Sequence, residues 1–199
     1  MTVAHAEAHA APTGHAQRGI SNPILGMLLF ITSEIMFFSG LFAAYFSTRA
    51  ANTPWPPDVF KDILDPLGPI IFATVILIAS SFTCQFAVWA IRRDDRAGFR
   101  RNIAITLALG ITFLIGQVYD YATLGFGISD GTFGTTFYTL TGFHGAHVFA
   151  GVIMLSVVLY RGLLGQFSSK HHDAIEATSL YWHFVDVVWI ALFSTLYFL

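Results

Sequence analysis

Residues 31–46 read ITSEIMFFSGLFAAYF, which is the sequence of a lipid-facing helix apart from one letter. Glu34 lies among isoleucine, methionine and phenylalanine, with no basic residue near it in the sequence. The apolar stretch around it covers residues 22–47, which exceeds the roughly 20 residues that a helix needs to cross a bilayer. The stretch therefore predicts a transmembrane helix that carries a carboxyl group near its middle.

The composition of the whole chain also predicts a membrane protein. Its 199 residues are 55% hydrophobic and 11% charged, and a soluble globular domain carries roughly 25% charged residues. The net charge of −2 gives no reason to expect a nucleic-acid partner. The single cysteine, Cys84, excludes an internal disulfide and the multi-cysteine metal motifs, and its apolar neighbours indicate a small buried side chain.

Five apolar stretches are long enough to span a bilayer, and the segments between them carry prolines, glycines and charges. Each span must satisfy its own backbone hydrogen bonds, so each is predicted to be a helix. The sequence thus predicts an all-α membrane protein, a five-helix transmembrane domain at residues 22–199 behind a flexible polar tail at residues 1–21. The predicted spans are residues 22–47, 69–91, 102–124, 137–161 and 178–198.

Lysine and arginine are unevenly distributed between the two ends of this predicted bundle. The N-terminal tail and the second and fourth loops together hold eight basic residues, whereas the other end holds only Arg49 and Lys61. Cytoplasmic segments are enriched in lysine and arginine. We therefore expect the N-terminus in the cytoplasm and the C-terminus outside. His5, His9 and His15 in the tail could bind a metal weakly, but a solvated tail is the preferred interpretation.

Small residues predict where the helices approach one another closely. In the first span they fall on one stripe at near-heptad spacing, and the fourth span offers similar points. We expect both sets to contact neighbouring helices within one compact bundle. The two sets are Ser33, Gly40, Ala44 and Ser47, and Gly142, Gly145, Ala146 and Gly151.

Ionisable residues within predicted spans are functional candidates by default. The helical neighbours of Glu34 three and four positions away are isoleucine and phenylalanine, so none offers it a side-chain hydrogen bond. We expect burial to favour the neutral acid, and the carboxyl group to find a polar partner on another helix, a water, a lipid or another subunit. Two interpretations remain open: a proton-exchanging or conformation-setting carboxyl group, and a neutral acid that joins two helices.

The remaining candidates are histidines and carboxylates. His144 and His147 share one helix face, where metal or haem ligation competes with the preferred interpretation of packing histidines hydrogen-bonded to other helices. His183 and Asp186 have the spacing of a pair within one helix. Asp120 lies late in the third span, near the outer surface. His171, His172 and Glu176 are expected to be solvated loop residues, with a structural cap or a subunit contact as the second interpretation.

Several motifs that would indicate a complete enzyme or transporter are missing from the sequence. There is no P-loop, no Gly-x-Ser-x-Gly elbow and no Cys-x-x-Cys-His haem attachment. Nor do the spans form the repeats of common secondary transporters. The residues alone therefore predict a compact membrane subunit of a larger complex.

Four blocks of the sequence resemble subunit III of the haem–copper terminal oxidases. They are SEIMFFSGLFAAYF at residues 33–46, ISDGTFGTTFY at 128–138, TGFHGAHVFAGV at 141–152 and KHHDAIEATSLYWHFVDVVWIALF at 170–193. The shorter GQVYDYATL at 116–124 also fits. The chain resembles the short form of this family, which lacks the first two helices of the larger members.

The resemblance implies an accessory subunit of an aa3-type cytochrome c oxidase, in a bacterial cytoplasmic membrane. Such a complex passes electrons from cytochrome c to dioxygen, makes water and pumps protons. The family's subunit III binds no redox centre, because the haems and copper belong to subunits I and II. It packs against subunit I, binds phospholipid, and supports proton uptake and stability during turnover. The corresponding subunit of a quinol oxidase, or a homologue associated with nitric oxide reductase, is the alternative.

The resemblance also implies roles for individual residues. Glu34 matches the family's intramembrane glutamate, which is known for reacting with carbodiimide. Asp120 stands where the family often has glutamate. The other candidates match family positions that are structural rather than metal ligands, namely His144, His147, Glu176, His183 and Asp186. Different classes remain as competitors: a stand-alone proton-coupled transporter built around Glu34, and a haem or metal protein that uses His144 and His147.

Overall fold

The computed structural model of the chain describes residues 20–57 and 67–198. Within these ranges five α-helices follow one another, and the only β-type contact is an isolated bridge between Ser168 and His171. The prediction of an all-α protein with five helices long and apolar enough to span a membrane is confirmed. The predicted tail up to residue 19, with its three histidines, and Lys61 in the first loop lie outside the described residues.

The five helices are longer than the predicted spans, chiefly at their N-terminal ends. They are α1 (Asn22–Ala51), α2 (Leu67–Arg92), α3 (Arg96–Thr123), α4 (Gly131–Leu163) and α5 (Asp173–Tyr197). Asp95 begins α3 early because its side chain accepts a hydrogen bond from the amide of Gly98 at 2.8 Å. Polar ends of this kind carry no hydropathy signal, so the predicted spans began later than the helices do.

The segment before the fourth predicted span, GFGISDGTFGT at residues 125–135, is rich in glycine, which predicts a turn. The structure shows that about half of it is helical, because the helix begins at Gly131. The hydroxyl group of Thr136 donates to the carbonyl of Thr132 at 2.8 Å, and that of Thr135 donates to Gly131 at 3.1 Å. These bonds satisfy the threonine hydroxyl groups within their own helix. Helix α4 therefore starts at Gly131, and the loop before it is short.

The bundle is built around α5, which packs against α1, α2 and α4, while α3 packs against α2 and α4. In its most apolar window, 56% of the α5 residues are buried, against 6% for α1. Helix α5 is therefore the core of the fold and α1 lies on its outside.

Trp182 of α5 is fully buried and fixes the central packing. Its indole Nε1–H donates to the hydroxyl group of Ser80 on α2 at 2.9 Å. Glycines on two other helices make room for the ring: a Cβ atom at Gly110 would lie 2.6 Å from it, and one at Gly151 would lie 2.7 Å from it. The prediction that Gly151 is a point of close helix contact is thus correct.

The other small residues behave differently from the prediction. In α1, Ser33, Gly40, Ala44 and Ser47 are all exposed, and a Cβ atom at Gly40 would have no neighbour within 4 Å. The expectation that this stripe contacts another helix of the same chain is therefore wrong. The side of α1 that packs inward carries large residues instead, including Phe38 and Tyr45. In α4, Gly145 also has open space around it.

We predict that Gly151→Ala destabilises the protein by about 1–3 kcal/mol, the usual cost of overpacking a well-filled core. The added methyl group would meet the Trp182 ring. Gly145→Ala on the same helix is the matched control and should leave the stability unchanged. Thermal unfolding of the full chain in mild detergent measures both, and equal effects of the two substitutions would contradict this description of the core.

Candidate functional site in the membrane-spanning helices

Glu34 of α1 and His147 of α4 form a side-chain pair between two membrane-spanning helices. The Nε2 atom of His147 lies 3.0 Å from Oε2 of Glu34, and the two side chains are 16% and 19% exposed. The sequence left four kinds of partner open for Glu34, and the structure shows the first of them, a polar residue on another helix, which is a histidine. His147 was predicted to pack between helices with a hydrogen bond to another helix, and the structure shows that bond.

The other ring nitrogen of His147 limits which atom can donate in the Glu34–His147 pair. Its Nδ1–H donates to the backbone carbonyl of Phe143 at 2.7 Å, and a carbonyl oxygen has no proton of its own to give. A hydrogen bond across the 3.0 Å contact can then form in two ways. The Glu34 acid donates to the Nε2 lone pair of a neutral ring, or a charged ring donates from Nε2 to a carboxylate. In both arrangements one proton lies between Nε2 and Oε2 and the pair has no net charge.

Aromatic rings surround the pair. Phe38 meets the His147 ring edge-on, with 4.9 Å between the ring centroids, and Phe37 lies beside it at 6.2 Å. The hydroxyl group of Tyr181 on α5 donates to the backbone carbonyl of His147 at 3.1 Å. These contacts hold the imidazole at one orientation in an apolar setting, in which a shared proton has few alternative acceptors.

His144 lies one helical turn from His147 but has a different environment. Its side chain is fully buried, stacks on Trp189 with 5.0 Å between ring centroids, and meets Phe113 edge-on. Neither ring nitrogen has a hydrogen-bond partner among the described residues. The expectation that His144 packs between helices is correct, but the expected hydrogen bond is not formed, since aromatic rings occupy both sides of the imidazole.

His183 is held by α2 rather than by its own helix. Its Nδ1 atom lies 2.7 Å from the Ser81 hydroxyl group, and Nε2 lies 3.2 Å from Oε1 of Gln85. A neutral ring satisfies both contacts, with Nε2–H donating to the Gln85 carbonyl and Ser81 donating to Nδ1. The predicted pair with Asp186 is therefore wrong. Asp186 is buried beside Ser81, and its carboxyl oxygens form no hydrogen bond of good geometry with the described residues.

Glu176 is not a solvated loop residue, because α5 begins at Asp173 and Glu176 lies in its first turn. Its Oε1 atom accepts from Nε of Arg92 at 2.9 Å and lies 3.0 Å from Nε2 of His172. The cluster joins the end of α2 to the start of α5 within the chain. It differs from the structural cap of the second interpretation, because no side chain caps the start of α5. His171 remains exposed.

Asp120 lies in a cleft formed by the first turns of α2 and α4 and the last turns of α3 and α5. The cleft has an empty volume of about 810 Å³ including its open mouth. Its lining combines apolar, aromatic and polar side chains. They are Pro69, Ile70, Ala73, Gln117, Tyr119, Asp120, Thr123, Leu124, Phe137, Thr141, Trp189 and Tyr197.

No group of three or more histidine, cysteine, aspartate or glutamate side chains in residues 20–57 and 67–198 has the arrangement of a metal site. Cys84 is buried at 1% exposure, as predicted for a small apolar side chain. The chain is a multi-pass helical membrane protein whose polar side chains bind the backbone of their own helix or polar groups across helix interfaces.

Comparison with known proteins shows to which family of helical membrane proteins the chain belongs. The family model described as cytochrome c oxidase subunit III matches residues 3–199. The chain belongs to this family, and with it to the subunits of a proton-pumping oxidoreductase complex. The family resemblance inferred from the sequence blocks is confirmed.

Relatives from bacteria and a mammal match most of the chain. Cytochrome c oxidase subunit 3 of Thermostichus vulcanus is 42% identical over 191 residues, which cover 96% of this chain and 94% of the relative. A probable cytochrome c oxidase subunit 3 of Mycobacterium tuberculosis is 45% identical over 179 residues, 88% of this chain and 87% of the relative. The subunit of Sus scrofa is longer: a 41% identical match covers 93% of this chain and 71% of the relative.

The structure adds polar partners that the sequence reasoning did not identify. Ser80, Ser81 and Gln85 lie within one stretch of α2 and bind Trp182 and His183 of α5. The signal was available, since several hydroxyl and amide side chains in one apolar span indicate a helix interface in a membrane. Arg92 as the partner of Glu176 had no such signal, because it lies among several arginines of one loop.

We predict an energetic coupling on the order of 1 kcal/mol between Glu34 and His147 in a double-mutant cycle of Glu34→Ala and His147→Ala. Each single substitution breaks the same hydrogen bond, so the double variant should lose little more stability than either single variant. Stability of the full chain in detergent is the measurement.

The control cycle replaces Glu34→Ala by Thr32→Ala on the same helix. The Thr32 hydroxyl group donates to the carbonyl of Leu28 within α1, so its loss should be additive with that of His147. Additivity in both cycles would mean that the Glu34–His147 contact contributes nothing to stability.

Proposed function

We propose that the chain is a non-redox accessory subunit of an aa3-type cytochrome c oxidase, which packs on subunit I and supports proton uptake and stability during turnover. The haems and copper would belong to subunits I and II, and cytochrome c would act only through the complex. The observation that carries the proposal is the hydrogen bond between Glu34 and His147, at 3.0 Å inside the membrane-spanning helices.

The pair has the chemistry that a proton-related role requires. A single proton lies between two basic atoms, and moving it from one to the other leaves the net charge at zero. Such a shift avoids the large cost of placing an unbalanced charge in hydrocarbon. Both side chains are also partly exposed at the bundle surface, so a neighbouring subunit or an ordered water chain can reach them.

The outer face of α1 supports a role in assembly. It exposes large apolar side chains together with the small-residue stripe defined above, and this combination suits contact with another helix or with lipid tails. The large ones include Leu29, Ile35 and Met36, with 65%, 52% and 73% exposure. We propose that subunit I covers part of this face and that phospholipid covers the remainder, in a bacterial cytoplasmic membrane with the N-terminus inside.

The other candidate residues receive structural roles in this proposal. His144 fills the aromatic core, His183 ties α5 to α2, and Glu176 joins the ends of the same two helices. Asp186 is buried next to His183 in the same interface. Asp120 stands apart at the opposite end of the bundle from Glu176, in a cleft that offers a surface for lipid.

In the intact oxidase, Glu34→Ala should leave assembly intact and shorten the working lifetime several-fold, because His147 Nε2 loses the partner that shares its proton. Glu34→Gln should be milder, since its amide can donate to Nε2 but cannot exchange a proton. Glu34→Lys should be the most severe, because an ammonium group has no partner there. The measurement is oxygen consumption followed over many turnovers, with proton uptake recorded in parallel.

Ser33→Ala is the matched control for these variants. The Ser33 hydroxyl group binds the carbonyl of Phe30 within its own helix, so its loss should change neither lifetime nor uptake. Unchanged lifetime and uptake in Glu34→Ala would remove Glu34 from any role in turnover.

Co-purification separates the proposal from its alternatives. In mild detergent the chain should bring with it a large haem- and copper-containing subunit that oxidises cytochrome c. Oxidation of quinol by that complex would favour the corresponding subunit of a quinol oxidase. Proton-coupled transport by the purified chain alone in liposomes would favour the stand-alone transporter, and a haem absorption band in the isolated chain would favour a redox protein.

A further inference from the structure

We propose that the Asp120 cleft binds the primary ammonium group of an ethanolamine phospholipid. The inference rests on the proposed lipid-binding role of the subunit and specifies one site and one headgroup for it. Its basis is a carboxylate that has no cationic partner among the described residues and lines a largely apolar, aromatic cleft near the end of the membrane-spanning bundle.

The first step concerns charge. Asp120 forms no ion pair, and its carboxyl oxygens no hydrogen bond, with the residues that the structure describes. The described lysines and arginines lie at the opposite end of the bundle, except for Arg49 at the end of α1. A partly exposed carboxylate in this position is complementary to a small cation supplied from the membrane.

The second step concerns position. Asp120 lies three residues before the end of α3 at Thr123, which corresponds to about 5 Å along the helix axis. Tyr197, the last residue of α5, and the exposed Tyr119 line the same cleft. Tyrosine is enriched where membrane and water meet, so the carboxylate is at the depth of lipid headgroups rather than of the acyl-chain centre.

The third step concerns the shape and chemistry of the cleft. The part of the cleft that water-sized groups can fill, about 140 Å³, is below the roughly 300–1,000 Å³ of pockets that enclose a whole small molecule, so the cleft has room for a headgroup and not for a complete lipid. Ile70, Ala73 and Trp189 contribute apolar surface to its lining, which suits the upper part of an acyl chain. A concave site with an apolar lining and one carboxylate fits a lipid better than the flat surface of another protein.

The last step selects the headgroup. Asp120, the Gln117 carbonyl and the Tyr197 hydroxyl oxygen are acceptors around the cleft. A primary ammonium has three N–H donors to satisfy such acceptors, whereas the trimethylammonium of choline has none. Aromatic faces attract both cations, so the hydrogen bonds decide in favour of ethanolamine. An anionic headgroup without a cation would be repelled by Asp120.

The test is native mass spectrometry of the oxidase complex that contains the full chain, mixed with lipids of identical acyl chains. Phosphatidylethanolamine should be retained about tenfold better than phosphatidylcholine, the effect expected of a charge-assisted hydrogen bond. N-acetyl phosphatidylethanolamine, which lacks the cation and keeps the anionic phosphate, should be retained no better than phosphatidylcholine. Equal retention of the three lipids by the unaltered complex would overturn the proposal without any variant.

Substitutions at Asp120 and Asp130 test which carboxylate causes the headgroup preference. Asp120→Asn should abolish the headgroup preference, and Asp120→Glu should keep it. Asp130→Asn is the matched control, since Asp130 is an exposed carboxylate at the same end of the bundle, outside the cleft, and its bond to the Gly127 amide survives the change. An undiminished preference in Asp120→Asn, or an equal loss in Asp130→Asn, would overturn the site.

A second experiment distinguishes lipid from a protein partner. A water-soluble carbodiimide activates a carboxylate, which then forms an amide with a nearby primary amine while the carbodiimide takes up the water as a urea. In vesicles of phosphatidylethanolamine and phosphatidylglycerol, the Asp120 peptide should gain the mass of the ethanolamine lipid, and the Asp130 peptide much less. An amide between Asp120 and a lysine of another subunit would contradict the proposal.

This outcome is separable from that of the proposed function. A normal working lifetime in Glu34→Ala would overturn the proton-related role and leave the headgroup preference untouched. Conversely, loss of the headgroup preference would leave the role of Glu34 and His147 standing.

Discussion

The hydrogen bond between His147 Nε2 and Glu34 Oε2 ties the outermost helix to the bundle at the depth where an unpaired carboxyl group is most costly. Helix α1 buries little of its surface, so a polar contact inside the membrane has more influence on its position than it would in water. A second tie exists at the far end of the helix, where the Tyr45 hydroxyl group donates to the carbonyl of Thr195 at 3.4 Å and accepts from Trp55 at 3.0 Å. Together these contacts fix the rotation of α1 about its axis.

The same constraint explains the interior of the bundle. Lipid offers no hydrogen bonds, so polar side chains in the spans find partners across helix interfaces or on their own backbone. Between α2 and α5 such contacts repeat along the helices: Trp189 donates to Thr74, Trp182 donates to Ser80, and His183 binds Ser81. Glycines on α3 and α4 then let the Trp182 ring fit between the helices. Helix α5 is thus held by polar contacts on one side and by close packing on the other.

Much of this fold could be predicted from the sequence, because hydropathy and length identify membrane helices with few alternatives. The need of Glu34 for a polar partner outside its own helix was also predictable, since its own helix offers none. The identity of that partner was not, because it depends on how α1 and α4 are rotated relative to each other, and a single sequence contains no direct record of that rotation. The prediction made from the small-residue stripe of α1 failed for the same reason. The pattern identified a face for close contact, but not whether that contact lies within this chain.

The two histidines of α4 lie three residues apart and show the same limit of prediction from a single sequence. Both were candidates for hydrogen bonds between helices, yet His147 binds Glu34 of α1 as well as the Phe143 carbonyl of its own helix, while His144 is enclosed by Trp189 and Phe113. Sequence spacing gives both rings the same face, and only the neighbouring helices distinguish them. Family membership then supplies what neither the spacing nor the fold contains, namely that this bundle is one subunit of an oxidase complex.

The most direct measurement is nitrogen NMR of the protein labelled at histidine, which reports the hydrogen bonding of each ring nitrogen of His147. A protonated Nδ1 is expected, with an Nε2 signal that moves on Glu34→Gln while Nδ1 stays in place, because only Nε2 contacts Glu34. An Nε2 signal that is identical with and without Glu34 would contradict the shared proton on which the proposed role depends.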